Sequence, residues 1–260
     1  AVTPHQVTEA LRPDTVLVSL MHANNETGVL TPIEEIAAVC RKHDVLLHCD
    51  AVQTAGLLPL NVNDLGVDLL SISGHKFYGP KGIGVLYVRG GVDLDPLVEG
   101  GSQERKRRGG TENVAAVVGC AEALALAVDE AAARAERIRR LQRRLTHGLQ
   151  DRLGHAMQLN TPLDDAPVAP HIVNLSFPPH EEQPMDGEML LLNLDMQGVH
   201  ASAGSACTSG ALEPSHVLSA LGLPRATASA AARFSLGKDT TEAEVDYVIE
   251  TLDTVVQRMR

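Results

Sequence analysis

Residues 16–50 read VLVSLMHANNETGVLTPIEEIAAVCRKHDVLLHCD, and this stretch decides the fold. Two apolar segments, VLVSLMH (16–22) and VLLHCD (45–50), flank TPIEEIAAVCRKHD (31–44). The middle piece predicts a helix with Thr31 as N-cap and Pro32 at the first helical position. Glu34 and Glu35 sit in its first turn and basic residues near its end, where each sign suits the helix dipole. Strand, helix and strand within about 35 residues make a βαβ unit, and so a parallel sheet. VDLLSIS (67–73) and GIGVLYV (82–88) predict two further strands, and their near-continuous apolar character suits strands buried on both faces.

Downstream the pattern changes. From Asn113 to about Leu153 runs an Ala/Leu/Arg stretch with helical periodicity, interrupted by Gly119 and Gly148 alone. It predicts one or two helices, with Arg134, Glu136, Arg137, Arg139, Arg140, Arg143 and Arg144 on a solvated face. After a Pro/Asp-rich break at 161–170, HIVNLSF (171–177) predicts a strand and GEMLLLNLDMQG (187–198) a helix. A small-residue loop, ASAGSACTSG, leads to a helix from Ser215, a strand at ARFSLG (232–237), and a closing helix opened by Thr240, Thr241 and Glu242. The expectation is an α/β chain: residues 1–130 form a mostly parallel sheet domain and 131–260 a smaller α+β domain.

The composition narrows the functional classes. The 260 residues carry a net charge of -11, which argues against nucleic acid or an anionic membrane as partner. No apolar run approaches the roughly 18 residues of a membrane span, and the start lacks a signal-peptide pattern, so a cytoplasmic protein is expected. Aromatics make up only 2% and Trp is absent, so aliphatic side chains must build the core. The four cysteines form no CxxC pair; Cys40, Cys49 and Cys120 lie in apolar surroundings and read as buried small hydrophobes. Cys207, among glycines and hydroxyls, does not.

In open parallel sheets, ligands bind beyond the carboxyl ends of the strands. Three polar clusters fall there: HANNETG (22–28), HCDAVQT (48–54) and SGHKFYGPKG (73–82). Any one could be a turn; three together form a convergent site. A Walker phosphate loop is disfavoured, because Gly82-Ile83-Gly84 runs into a strand and not a helix. A metal site from His22, His43, His48, Cys49 and His75 lacks any recognised ligand spacing. A covalent role for Lys76 fits better. An imine-forming lysine needs a desolvated seat, which the end of a buried strand supplies. A pyridoxal phosphate ring needs an anion at its pyridine nitrogen, and Asp50 is placed for that. Ser73 and His75 flank the lysine as phosphate donors.

These three clusters resemble the pyridoxal-phosphate enzymes of aminotransferase class V. With GGSQERKRRGGTEN (100–113), SAGSACTSG (202–210) and RFSLG (233–237), the chain resembles the cysteine desulfurases of iron–sulfur cluster assembly, essentially from end to end. The resemblance implies the fold of type I pyridoxal-phosphate-dependent transferases and conversion of L-cysteine to L-alanine. Carried over position by position, it implies that Lys76 holds the cofactor covalently and shuttles the substrate α-proton. Asp50 pairs with the ring nitrogen, Gln53 with the ring hydroxyl, and Ser73 and His75 with the phosphate. Thr111 reaches the phosphate in a partner subunit, which implies a homodimer. Asn25 falls among the cofactor contacts and, with Arg233, holds the substrate carboxylate, a task that a planar guanidinium suits. Cys207 becomes the nucleophile that carries a persulfide to a sulfur acceptor or iron–sulfur scaffold protein, and it could ligate a transferred cluster. The run Arg105-Lys106-Arg107-Arg108 falls near the dimer interface.

The chain also departs from the family. The segment that brings its glycine/threonine phosphate loop and ring-stacking histidine has no counterpart before Ala1, so this chain alone is expected to bind pyridoxal phosphate weakly or not at all. The loop reads Ser-Ala-Gly-Ser-Ala-Cys where two serines usually precede the glycine. A transaminase, a selenocysteine lyase and a non-catalytic scaffold for iron–sulfur assembly are the competing readings.

Overall fold

The computed structural model describes residues 1–203 and 214–260. The chain divides into two units, Ala1–Ala23 with Thr31–Ala132, and Asn24–Leu30 with Ala133–Arg260. The main seam falls close to residue 130, but the segment Asn24–Leu30 belongs with the second unit.

In the first unit, a capping box of Thr3 and Gln6 opens α1 (Pro4–Ala10). There follow β1 (Leu17–Met21), α2 (Ile33–Lys42), β2 (Leu46–Asp50), the short α3 (Val62–Leu65), β3 (Leu69–Ser73), β4 (Gly84–Val88) and α4 (Val114–Asp129). The sheet runs β1-β2-β3-β4. The first three strands are parallel, and β4 returns antiparallel to β3. The link from β3 to β4 is too short for the crossover that a parallel neighbour needs. The start of α2 differs from expectation. Its N-cap is Pro32, at φ -76 and ψ 73, without a side-chain cap, because the Thr31 backbone is bound elsewhere: its N–H donates to His22 O at 2.9 Å and its carbonyl accepts from Ile33 N.

Helix α2 lays Ile33, Ile36, Ala37 and Cys40 against Leu47, Cys49, Val67 and Leu70 on one sheet face. The opposite face carries Leu17 and Leu46, which are 44% and 37% exposed. Burial on both faces, expected from the apolar runs, therefore holds for one face of this unit. A second cluster of Ala55, Phe77, Cys120 and Ala127 packs α4 on the turn after β3. Gly56 makes this approach possible: at φ +70, a Cβ there would sit 2.6 Å from the Ala127 Cβ.

The second unit holds nearly all of α5 (Ala131–Leu153), then β5 (Gln158–Leu159), β6 (Ile172–Ser176), α6 (Gly187–Met196), α7 (His216–Ala220), α8 (Arg225–Ser229), β7 (Ala231–Ser235) and α9 (Glu242–Met259). The three strands form an antiparallel sheet, β5-β6-β7. Leu145, Leu149, Val173, Leu175, Leu194 and Leu252 centre its core. The Gln142 amide, buried among them, donates to the carbonyls of Ala169 (3.0 Å) and Ile172 (2.8 Å), which removes the cost of burying it.

The arginine face of α5 departs from a wholly solvated stripe. Arg134 is buried. Arg137 donates to the carbonyls of Thr240 and Lys238, and Arg144 forks onto Asp246 of α9 at 2.7 and 2.8 Å. The charges that looked like an open surface therefore tie α5 to α9 and to the turn before it. Thr241 and Glu244 form the capping box that opens α9.

Candidate active site

In the first unit, the parallel register puts the three strand ends side by side: Met21 pairs with Asp50, and Asp50 with Ser71. Asp50 is half-buried. Its backbone oxygen accepts the His22 N–H at 2.8 Å, and its carboxylate Oδ1 accepts the Val52 N–H at 3.0 Å. The carboxylate is thus pinned at the mouth of the sheet, at the start of the turn that carries Gln53. His22, the first residue past β1, reaches Thr54 Oγ1 with Nδ1 at 2.9 Å, and burial lowers its pKa. The same burial, helped by Asp50, pushes the Cys49 thiol up to about 12, so Cys49 is an inert core residue.

After β3 the chain tightens into a 3₁₀ turn, Gly74–Phe77. Gly74 and Phe77 are buried, and Tyr78 ends the turn at φ 68. Ser73 Oγ and His75 Nδ1 lie 2.9 Å apart, a hydroxyl and an imidazole joined next to the lysine. His75 and Lys76 are exposed. This corrects the expectation of a desolvated lysine: the turn carries Lys76 beyond the buried strand end, so burial by this unit does not seat it. Thr111, just before α4, is exposed as well.

One pleat below Asp50, His48 spans three strands. Its Nδ1 lies 2.8 Å from Ser19 Oγ on β1, and its Nε2 lies 2.8 Å from Ser71 Oγ on β3. The row ties the strands whose ends carry His22, Asp50 and Ser73. The sequence places His22 and His48 in the polar clusters at the strand ends and offers them singly as metal ligands; among the described residues, no group of three His, Cys, Asp or Glu side chains could hold an ion.

The second unit gathers Asn25 and Arg233. The two adjacent asparagines divide their tasks. Asn24 Oδ1 accepts from Glu26 N, Thr27 N and Thr27 Oγ1, at 2.9 to 3.1 Å, and so builds the turn. Asn25 gives its backbone oxygen to Arg233 Nη1 at 2.9 Å. Arg233 lies on β7 opposite Asn174 of β6, and on its other side pairs with Ser202. Burial lowers the Arg233 pKa, and the Glu26 carboxylate works against that shift. Glu26 is buried and accepts the Ser215 hydroxyl at 2.6 Å. Sequence reading passed over this glutamate, though an acid between Asn-Asn and Thr-Gly in a turn was the available signal. Cys207, the expected nucleophile, lies outside the described residues; Ser202 and Ser215 stand near the two ends of the span that contains it.

The chain matches the aminotransferase class-V family over residues 1–248. It is 45% identical over 259 residues to the cysteine desulfurase IscS of Dictyoglomus turgidum, covering 100% of this chain and 64% of that protein. It is 44% identical over 262 residues to IscS of Methanosarcina thermophila, covering 62% of that protein. Among solved structures, a NifS-like protein superposes with a TM-score of 0.86 at 37% identity, over 99% of this chain and 65% of that one. DndA from Streptomyces lividans does so with 0.71 at 42% identity, over 90% of this chain and 64% of that one. The chain thus spans a little under two thirds of the length of these relatives. Fold, strand-end chemistry and sequence agree on one assignment: the chain belongs to aminotransferase class V, a family of pyridoxal-phosphate-dependent enzymes.

Proposed function

We propose that the protein to which this chain belongs is a cysteine desulfurase, converting L-cysteine to L-alanine and passing the sulfur on as a persulfide on Cys207. The observation that supports it most is the meeting of Asp50, Ser73, His75 and Lys76 at adjacent strand ends. This donor set fits pyridoxal phosphate: an anchored carboxylate for the ring nitrogen, a joined hydroxyl and imidazole for phosphate oxygens, and an amine for the covalent link. Gln53 would meet the ring hydroxyl, and Thr111 the phosphate in a partner subunit. When bound, the cofactor supplies an electron sink that lets the α-proton of an amino acid leave.

The chain's own groups then have these tasks. Asn25 and Arg233 bind the substrate carboxylate, the guanidinium through paired N–H donors. The Lys76 amine takes the α-proton and returns a proton to carbon. The Cys207 thiolate attacks the substrate sulfur: an S–S bond forms, the C–S bond breaks, and its electron pair is protonated to leave alanine. The products, alanine and a Cys207 persulfide, balance the reactants without an outside oxidant. A homodimer, a thiol-bearing sulfur acceptor or iron–sulfur scaffold, and a cytoplasmic setting complete the proposal.

The test uses protein expressed from the complete gene. Visible cofactor absorbance should disappear in Lys76→Ala. Sulfide release from cysteine should vanish in Cys207→Ser with the cofactor still bound. Sulfide release that persists in Cys207→Ser sinks the nucleophile, and a protein that loads cofactor but turns over amino and keto acids instead is a transaminase.

A further inference from the structure

His48 is half-buried on β2, and no step above uses it. Its Nδ1 lies 2.8 Å from Ser19 Oγ on β1, and its Nε2 lies 2.8 Å from Ser71 Oγ on β3. A neutral imidazole has one donor and one acceptor, and a hydroxyl can act as either, so both bonds form in either tautomer. Side chains two residues apart on a strand share a face. Asp50 therefore follows His48, and Ser73 follows Ser71, on the face that carries this row. Asp50 and Ser73 are the carboxylate for the cofactor's ring nitrogen and the hydroxyl for its phosphate. The backbone between these two anchors is thinly tied. The ladder of β2 and β3 pairs His48 with Leu69, Cys49 with Leu70 and Asp50 with Ser71, and ends there. Beyond it, the Ala51 N–H still donates to Ser71 O at 2.9 Å, while the Val52 N–H turns back to Asp50 Oδ1 at 3.0 Å. Ser73 pairs instead with Gly84 of β4. The side-chain bond from His48 to Ser71 thus adds a tie at the last rung, on the face that both anchors share.

We propose that His48, through Ser71, is a positioning residue that sets the spacing between Asp50 and the Ser73–His75 pair, and so fits β2 and β3 to pyridoxal phosphate. The ring nitrogen and the phosphate of that cofactor are joined by a short arm. A grip on both therefore needs the two strand ends held to within about 0.5 Å of the productive spacing. Charge-assisted hydrogen bonds at either end weaken when that spacing drifts. Ser19 has a different task. It ties His48 to β1, whose end carries His22 and neither of the two anchors. One half of the row reaches the site, and the other half stabilises the sheet. The proposal rests on Asp50, Ser73 and His75 holding the cofactor, as argued above.

The test titrates pyridoxal phosphate into cofactor-free protein from the complete gene. The dissociation constant should rise about tenfold in His48→Phe, which keeps the ring's bulk and loses both bonds, and in Ser71→Ala. Ser19→Ala keeps the link from His48 to Ser71 and should stay within about twofold of wild type. Ser71→Thr keeps the hydroxyl and should bind like wild type. The visible circular dichroism of the lysine-bound cofactor, which reports the seating of the ring, should change in His48→Phe and Ser71→Ala alone. In cofactor-free protein, amide exchange at Ala51 and Val52 should speed up in the same two variants. Thr3→Ala, which removes the capping box of α1, is the control for lost stability without lost positioning. If His48→Phe loses stability as Thr3→Ala does but keeps the affinity and dichroism of wild type, the row merely stabilises the sheet and the proposal is overturned. Equal losses of affinity in Ser19→Ala and Ser71→Ala overturn it too. If His48→Phe fails to fold, Ser71→Ala and Ser71→Thr decide. Failure of the desulfurase reading shows separately, as a wild type that loads cofactor but releases no sulfide from cysteine. A wild type that loads no cofactor overturns the positioning role along with the site.

Discussion

His22 Nδ1 lies 2.9 Å from Thr54 Oγ1, and the Thr54 hydroxyl donates in turn to Ala51 O at 3.2 Å. A threonine hydroxyl has a single proton, so Ala51 O and the imidazole Nδ1 compete for it, and the His22 tautomer decides between the two bonds. Burial lowers the His22 pKa from its usual 6.5, which keeps the ring neutral. The sign of the pH effect follows. Above about 6.5 both folded and unfolded chains hold His22 neutral, and its contribution is constant. As pH falls below that, the unfolded chain takes up a proton the fold resists, so stability falls. Urea unfolding at about pH 7.5 and about pH 5.5 should show a drop in wild type that is smaller in His22→Asn. An equal drop in both would remove His22 from the account.

Asn24 and Asn25 are neighbours with separable roles. Truncating Asn24 to Ala removes an oxygen that accepts three hydrogen bonds within its turn, so it should cost about 1–2 kcal/mol of stability. Asn25→Ala leaves the backbone bond to Arg233 intact. It should change melting temperature little and weaken carboxylate binding. Thermal melts and alanine titration on the two variants separate the effects; a reversed pattern would reassign the pair.

The thiols should divide as sharply. Burial raises the pKa of Cys40, with Asp68 adding to it, and pushes that of Cys49 to about 12; Cys120 is buried as well. Since only thiolate alkylates readily, native protein should take iodoacetamide at Cys207 first and at the other three only after denaturation. Peptide mapping after brief labelling checks this. Early modification of Cys49 would contradict its buried setting.

The sequence showed the fold where spacing alone decides it. The βαβ unit is set by apolar runs and a charge-patterned helix, and the strand ends were legible because polar clusters interrupt apolar runs. Long-range partners were not legible. Nothing local told that Arg134 and Arg144 of α5 would turn toward the unit's interior and α9, since a charged stripe looks the same whether water or an aspartate faces it. The exposure of Lys76 was likewise hidden, because it depends on a 3₁₀ turn one residue beyond the strand. Asn24 and Asn25 were adjacent and identical in type, so only the turn geometry could divide them. Glu26 escaped for the same reason: its partner Ser215 is 189 residues away.

Gly187 shows how a packing constraint reaches the proposed site. It opens α6, and a Cβ there would sit 2.1 Å from Ser229 O, a backbone atom that cannot swing aside. Ser229 ends α8, and β7, which carries Arg233, begins two residues later. Gly187→Ala must therefore push apart α6 and the chain entering β7, and overpacking of this kind costs roughly 1–3 kcal/mol. Because the strain is released next to β7, L-alanine binding should weaken as well as stability. Gly90→Ala is the control: nothing lies within 4 Å of its added carbon, so stability should stay within about 0.5 kcal/mol of wild type. Denaturant midpoints of the two variants, with alanine titrations alongside, make the comparison. If Gly187→Ala is as stable as Gly90→Ala, the contact between α6 and Ser229 is looser than its geometry requires, and the coupling to Arg233 falls with it.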